Sequence, residues 1–238
     1  MTHQVDATNK RPAKCTLEPM DLHNPEDFEE LLAQRKLCGW DMEPAVLEKW
    51  RRLCDEKRKN MFWIIPTAPS HAPEQVRTDG DSDSQGQQQQ QQQQRLRVGH
   101  ICLQSYDDPP DPRVASEDKS VMMISTFFIK PEYRSGGLGT EAVKALEGWA
   151  KTAPYGSPDC RAVTVHTVSR RYSEDDSDEF RGLYARRGLP TPERGRSNED
   201  WYARMGYVKW KEERRYEDKL LDGTEIKLLA VYMSKDIS

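Results

Sequence analysis

One stretch decides the fold of this chain: Val121-Met-Met-Ile-Ser-Thr-Phe-Phe-Ile-Lys-Pro-Glu-Tyr-Arg-Ser-Gly-Gly-Leu-Gly-Thr140. It opens with a mostly apolar run, which predicts a buried strand, and passes through a proline into a glycine-rich turn. Apolar side chains then repeat on one side from Thr140 to about Lys151, which predicts a helix. The apolar run at 162–168 predicts a second strand, so the unit has the order of an α/β crossover.

Elements on both sides of this unit are predicted to complete one sheet. Two amphipathic helices precede it, and the first is capped by Asn24 and ends near Gly39. The second carries an apolar stripe over 46–54, which needs a sheet to pack on. Further strands are predicted at 14–18, 61–65, 96–104, 207–211 and 225–233.

Composition indicates that part of the chain is not core, because only 35% of its 238 residues are hydrophobic and 32% are charged. Polar residues concentrate in three stretches. We predict a disordered arm at 1–13, a disordered loop at 68–95 that contains the run Gln87–Gln94, and an insertion at 170–197. The remainder of 14–238 has the size of one α/β domain.

Charge and cysteine content exclude several classes of protein. The net charge of −4 argues against a nucleic-acid binder, which would carry a dominant basic face. The five cysteines include no C-x-x-C pair, so neither a disulfide framework nor a metal site is predicted. No run resembles a secretory signal or a membrane span. We therefore expect a soluble, cytoplasmic protein, while its oligomeric state stays open.

The glycine-rich turn suits the binding of an anion. Gly136, Gly137 and Gly139 leave the backbone open to close approach and tolerate positive φ. The first turn of the following helix adds unpaired amides at the positive end of the helix dipole, which favours a phosphate or pyrophosphate. The turn matches neither a Walker loop nor G-x-G-x-x-G, and glycine content alone leaves a plain tight turn open.

The order of residues in the turn resembles a known motif. Arg134-x-x-Gly137-x-Gly139, placed directly after Ile129-Lys-Pro, resembles the acyl-coenzyme A motif of the GNAT superfamily of N-acetyltransferases. Trp201-Tyr-Ala-Arg-Met-Gly-Tyr207 is similar to a later segment of that family, and the element order agrees over roughly 14–235. The resemblance implies a single α/β domain with a mixed, mostly antiparallel sheet flanked by helices. It also implies a V-shaped splay between the two central parallel strands.

The resemblance implies an enzyme that transfers an acetyl group from acetyl-CoA to a primary amine by direct attack on the thioester. Family members hold the coenzyme pyrophosphate on loop amides and pair the pantetheine arm with the end of the strand. The residues expected to bind acetyl-CoA are Phe127, Phe128, Ile129, Arg134, Ser135, Gly136, Gly137, Leu138, Gly139, Thr140 and Asn198. Asn198 is a nearby substitute, because Gly195 stands where relatives often have asparagine. The amide of Ile129 is expected to stabilise the oxyanion.

Catalytic residues follow less directly. Tyr202 matches the tyrosine that protonates the departing thiolate in many relatives, and Tyr184, in a near-repeat of the same segment, is the alternative. The strand before the loop lacks the glutamate that many relatives use as general base. His100 and His166 lie on neighbouring predicted strands and are candidate bases, and a chain of water molecules is an equal alternative.

The acceptor is left open by the sequence. The acidic run Ser173–Glu179 would attract a cationic amine, although it is more typical of a solvated loop with arginines nearby. A small amine, an amino sugar, an antibiotic-like metabolite and a peptide amine all fit. Two other functions stay open as well: a catalytically silent acyl-CoA-binding regulatory module, and an interaction protein that uses its glutamine run and charged insertion.

Overall fold

A computed structural model describes residues 14–67 and 96–238. The predicted arm at 1–13 and the predicted loop at 68–95 lie outside the described residues. The strands are β1 (Cys15–Pro19), β2 (Lys59–Pro66), β3 (Gly99–Gln104), β4 (Val121–Ile129), β5 (Ala162–Val168), β6 (Val208–Lys219) and β7 (Glu225–Asp236). The helices are α1 (Pro25–Cys38), α2 (Pro44–Asp55), α3 (Leu138–Ala150), α4 (Arg171–Glu174), α5 (Leu183–Arg186) and α6 (Asn198–Arg204), with a single 3₁₀ turn at Pro131–Tyr133.

The strands form one seven-stranded sheet in the order β1-β2-β3-β4-β5-β7-β6. Only β4 and β5 run parallel, and the other neighbours are antiparallel. Helices cover both faces: α3 and α6 pack on one, which we call the α3 face, and α1 and α2 pack on the other, the α1 face. The predicted mixed, mostly antiparallel α/β fold is therefore confirmed.

Local sequence explains where several elements begin and end. The Asn24 side chain accepts a hydrogen bond from the Glu26 amide at the start of α1, and Gly39 ends the helix at φ 80°. Within α1 and α2, Leu31 and Leu47 are fully buried against the sheet, and each such side chain stabilises the fold by about 1.5–3 kcal/mol.

Strand β6 is much longer than the predicted 207–211. It pairs with β7 at the edge of the sheet, and most of its side chains are exposed or half-buried. An edge strand in contact with water on both sides does not need the apolar alternation by which strands are predicted. Because β6 is rich in charged residues, the sequence predicts only a short strand there.

The segment 170–197 differs from the solvated loop that its charge run predicts. Tyr172, Phe180 and Leu183 are buried in a cluster with side chains of β7 and its preceding turn, and the Leu229 amide donates to the Tyr172 hydroxyl at 2.7 Å. The acidic side chains pair with arginines, as in Arg171–Asp175 at 3.0 Å. The segment thus contributes core, and its charges largely cancel.

The V-shaped splay between β4 and β5 is confirmed. The two strands pair from Val121↔Ala162 to Ile124↔Val165 and no further. On the other side of β4, the register with β3 shifts between His100 and Cys102. Thr126 stands in the resulting β-bulge at φ 48°, a conformation that β-branched residues rarely adopt.

Candidate active site

The opening between β4 and β5 connects the two faces of the sheet and exposes a backbone donor. The Lys130 amide donates to the Val98 carbonyl at 2.9 Å, toward the β3 side. Because amides alternate sides along an antiparallel strand, the Ile129 N–H points the other way, toward the splay. The Ile129 carbonyl accepts a hydrogen bond from Arg134 Nε at 2.9 Å, which fixes the strand end.

The glycine-rich turn forms a cradle of backbone amides at the start of α3. Ser135 and Gly137 adopt φ values of 72° and 82°, so the chain turns tightly enough to direct successive amides outward. Among the described residues, no amide from Ser135 to Thr140 donates to a backbone carbonyl outside regular helix pairing. The positive end of the α3 dipole lies at the same place, so the cradle suits an anion.

A lysine that the sequence analysis did not single out joins this cradle. Lys14 Nζ donates to the Gly136 carbonyl at 2.8 Å. A Cβ atom at Gly137 would lie 2.9 Å from the same ammonium group. Lys14 precedes β1, which is separated from the turn by more than a hundred residues, so no local pattern indicates this contact.

Apolar side chains line the path from the cradle to the splay. A Cβ at Gly139 would lie 3.2 Å from Phe127 and 3.4 Å from Ile129 and Trp201. The rings of Phe127 and Trp201 face each other at 5.9 Å. The buried Phe128 ring lies on the opposite face, 5.6 Å beneath the Arg134 guanidinium. Two of the predicted strand-end residues therefore share the α3 face with the cradle, while Phe128 supports the strand from behind.

Tyr202 lies in α6 on the α3 face, in the same cluster as Phe127 and Ile129. Its side chain is buried, with 5% of its surface exposed. Burial raises the pKa of Tyr202, which keeps the hydroxyl protonated at neutral pH.

The two histidines occupy different environments on the α1 face. His166 follows the last β4–β5 pair, and its Nδ1 lies 2.6 Å from the Tyr216 hydroxyl. Nε2 of His166 has no hydrogen-bond partner among the described residues, so an Nδ1–H tautomer leaves a lone pair on Nε2. Burial and the nearby Arg215 lower the pKa of His166 to about 3, and its imidazole is neutral at physiological pH.

His100 is less suited to proton transfer. It is fully buried, with Nδ1 2.8 Å from the Gln34 Oε1 acceptor and Nε2 3.4 Å from Arg35 Nη1. Burial and two neighbouring cations hold its pKa well below the usual range for histidine. Both ring nitrogens therefore have protein partners, which is typical of a structural histidine.

The remaining predicted residues lie apart from the splay. Asn198 is exposed at the first turn of α6. Tyr184 packs with the buried side chains of the insertion, away from the cluster that contains Tyr202. Within the two described ranges, 14–67 and 96–238, no group of three or more His, Cys, Asp or Glu side chains could hold a metal ion. Over the same ranges, no helix has the length and apolar character to cross a membrane.

Comparison with known proteins agrees with this geometry. A family model described as the acetyltransferase (GNAT) family matches residues 50–172, which is more than half of the chain. No curated protein sequence matches the chain.

Solved structures with a similar fold include Arabidopsis thaliana NAA60 in complex with a bisubstrate analogue. It has 13% identity and a TM-score of 0.53, and the comparison covers 94% of this chain and 99% of that chain. NAA60 in complex with acetyl-CoA has 12% identity and a TM-score of 0.51, covering 94% and 98%. A chimera of spermidine N-acetyltransferase SpeG from Vibrio cholerae and hSSAT has 10% identity and a TM-score of 0.54, covering 94% and 95%. At these identities the likeness establishes a shared fold.

Proposed function

The chain belongs to the GNAT family of acetyltransferases, and from that premise we propose that it transfers the acetyl group of acetyl-CoA to the nitrogen of a primary amine. One observation carries the proposal: β4 and β5 separate beside the anion cradle, so the splay joins the cradle's face to the opposite face. Acetyl-CoA held by its pyrophosphate on the α3 face would present its thioester in the splay, where an amine would enter from the α1 face.

The cradle would bind the pyrophosphate through the amides from Ser135 to Thr140, with Lys14 adding a positive charge. The pantetheine arm would run along the strand end between Phe127 and Trp201. Arg134 would act by holding the end of β4 through the Ile129 carbonyl, and a contact between Asn198 and the coenzyme stays a prediction. Holding both substrates in one orientation supplies much of the rate enhancement of such a bimolecular reaction.

The chemical step is a direct attack of the neutral amine on the thioester carbonyl. The carbonyl oxygen becomes an oxyanion, and the Ile129 N–H, which points into the splay, would donate to it. A preorganised donor of this kind accounts for about 10²–10³ in rate. The C–S bond then breaks, and the electron pair leaves with the coenzyme A sulfur.

Two protons have to move during this step. Nε2 of His166 would accept the proton that the attacking nitrogen loses, with Nδ1 held by Tyr216. Its low pKa makes it a weak but always available acceptor, and a water molecule between the amine and His166 would serve the same purpose. The hydroxyl of Tyr202 would donate to the departing thiolate.

The experiment is calorimetric titration of acetyl-CoA and CoA into the protein and two matched variants. Gly136 has open space around its Cβ position and no positive φ, so Gly136→Glu puts a carboxylate in the cradle without backbone strain. Gly148→Glu makes the same change near the end of α3, also in open space. We expect saturable binding in the wild type and Gly148→Glu, and at least about tenfold weaker binding in Gly136→Glu because two anions would repel.

Acetyl transfer is measured next, as thiol release across a panel of amines. Thiol release together with acetylated amine supports the proposal. No acetyl-CoA binding by the wild type would contradict it at its central step.

A second candidate is a catalytically silent acyl-CoA-binding module. It is favoured by the absence of a carboxylate on β4 and by the weak basicity of His166. Such a module would bind acetyl-CoA in the titration and release no thiol with any amine. The free cysteines of the described chain suit a reducing compartment, and we propose the cytoplasm as the place of action.

A further inference from the structure

Lys59 is a buried cation that has no counter-ion among the described residues. It begins β2 on the α1 face and is 2% exposed. Within the described chain no carboxylate forms an ion pair with it, whereas Arg35 pairs with Asp41 at 3.1 Å and Arg215 pairs with Asp107 at 2.6 Å on the same face. Because a buried charge is costly unless it is paired, a ligand carboxylate brought close to Lys59 would compensate a charge that no described carboxylate pairs with.

The ammonium group of Lys59 is directed at the β-bulge beside the splay. Nζ donates to Gln104 Oε1 at 3.0 Å, to Thr126 Oγ1 at 3.1 Å and to Ser125 Oγ at 3.4 Å. The Trp50 ring covers its other side at 4.7 Å. Gln104 cannot turn its oxygen away, because its Nε2 donates to the Tyr106 carbonyl at 3.0 Å. The positive charge is therefore fixed behind two hydroxyl groups.

The two hydroxyls differ in whether their hydrogen is free to bind a ligand in the splay between β4 and β5, which we also call the cleft. Ser125 donates its hydrogen to Gln104 Oε1, so that hydrogen is already engaged. Thr126 accepts from Lys59 and keeps its own hydrogen, for which the only described partner is Ser125 Oγ at 3.4 Å. Both side chains are half-buried, which leaves the Thr126 hydrogen available to a ligand in the splay, and the ammonium group behind it polarises the hydroxyl.

We infer that the acceptor is an amino carboxylate, whose carboxylate receives the Thr126 hydroxyl and compensates the charge of Lys59. This inference rests on the proposed function and names the substrate class of the same site. A diamine or polyamine would bring its second positive charge close to Lys59 without a carboxylate to offset it, and like charges repel.

The geometry also separates the carboxylate from the reacting nitrogen. The amine has to meet the thioester near the Ile129 amide, and Ile129 is three positions along the strand from Thr126. At about 3.3 Å per residue this distance is about 10 Å. The carboxylate and the acetylated nitrogen are thus several bonds apart, as in the side-chain amines of lysine and ornithine.

The test compares acceptors that differ only in the carboxylate: lysine with cadaverine, and ornithine with putrescine. We expect the wild type to favour the amino acid in kcat/KM by about 10- to 100-fold, which corresponds to one hydrogen bond to a charged group. Lys59→Gln keeps hydrogen-bonding capacity and removes the charge, and Thr126→Val removes the hydroxyl. Each should reduce the preference to within about threefold, mainly through KM for the amino acid. Lys144→Met, an exposed lysine on α3, should retain it.

Thermal shift with lysine in the presence of CoA gives a readout that is independent of turnover. Lysine should raise the Tm of the wild type but not that of Lys59→Gln, and cadaverine should raise neither. If Lys59→Gln does not fold, Thr126→Val carries the comparison. A wild type that prefers diamines, or variants that keep the preference for amino acids, would overturn the inference. If no acceptor releases thiol but lysine still raises the Tm of the wild type selectively, the proposed acetyl transfer is refuted. The binding site for an amino carboxylate at Thr126 and Lys59 is then still supported.

Discussion

The 170–197 insertion is expected to be part of the folded core, and Phe180→Ala tests this. Phe180 is 1% exposed, lies 5.1 Å from the Tyr172 ring and has the Arg171 guanidinium 4.0 Å above it. A buried phenylalanine removes roughly 150–200 Å² from water, which at about 25 cal/mol per Å² amounts to about 4 kcal/mol. Loss of the cation–π contact adds about 0.5–1 kcal/mol, and partial collapse of the cavity offsets some of the loss.

We therefore expect Phe180→Ala to lower the free energy of unfolding by about 3–5 kcal/mol. The assay is urea denaturation followed by tryptophan fluorescence. Leu189→Ala is the matched control, because Leu189 belongs to the same insertion but is 44% exposed; it should change the free energy of unfolding by less than about 0.5 kcal/mol. A Phe180→Ala loss below about 1 kcal/mol would mean that the insertion does not pack on the sheet, and would refute this reasoning.

Three other predictions concern the site. Lys14→Met should weaken CoA binding by about three- to tenfold in calorimetry, in the range of one exposed charge contact. The binding of pantetheine, which lacks the phosphates of CoA, should not change. Tyr202→Phe should lose most turnover and keep its affinity for acetyl-CoA; unchanged turnover would remove Tyr202 from the acid role. Because the folded pKa of His166 is about 3, below the unfolded value of about 6.5, its contribution to the free energy of unfolding should be complete above pH 6.5 and should be lost as pH decreases toward 3. His166→Asn should flatten that acid limb in pH-dependent denaturation, and an unaltered limb would assign it to other groups.

Elements with strong local patterns could be predicted from the sequence. The apolar runs at 121–129 and 162–168 coincide with β4 and β5, and the Asn24 cap and Gly39 stop bound α1. The glycine-rich turn was predicted from its own residues, because positive φ and free amides depend on a few adjacent positions. The backbone of this turn is for that reason the part of the candidate site that could best be predicted from the sequence.

Contacts between distant parts of the chain could not be predicted in this way. Lys14 meets Gly136 across 122 positions and Lys59 meets Thr126 across 67. A single lysine in a charged chain carries no local pattern, and its burial depends on how the strands align. The bulge at Thr126 was hidden too, because threonine is a favourable strand residue and its positive φ arises from the β3–β4 register.

That bulge determines on which face of the sheet the side chains after it lie. Met122 and Ile124 face α3 before it, and Phe127 and Ile129 face α3 after it, although strict alternation would place the second pair on the opposite face. Removal of one residue at position 126 would therefore exchange the faces of the whole strand end and turn the Ile129 amide back toward β3. The cleft depends on the number of residues in β4 as much as on their chemistry, so a deletion there should harm activity more than any single substitution in the strand.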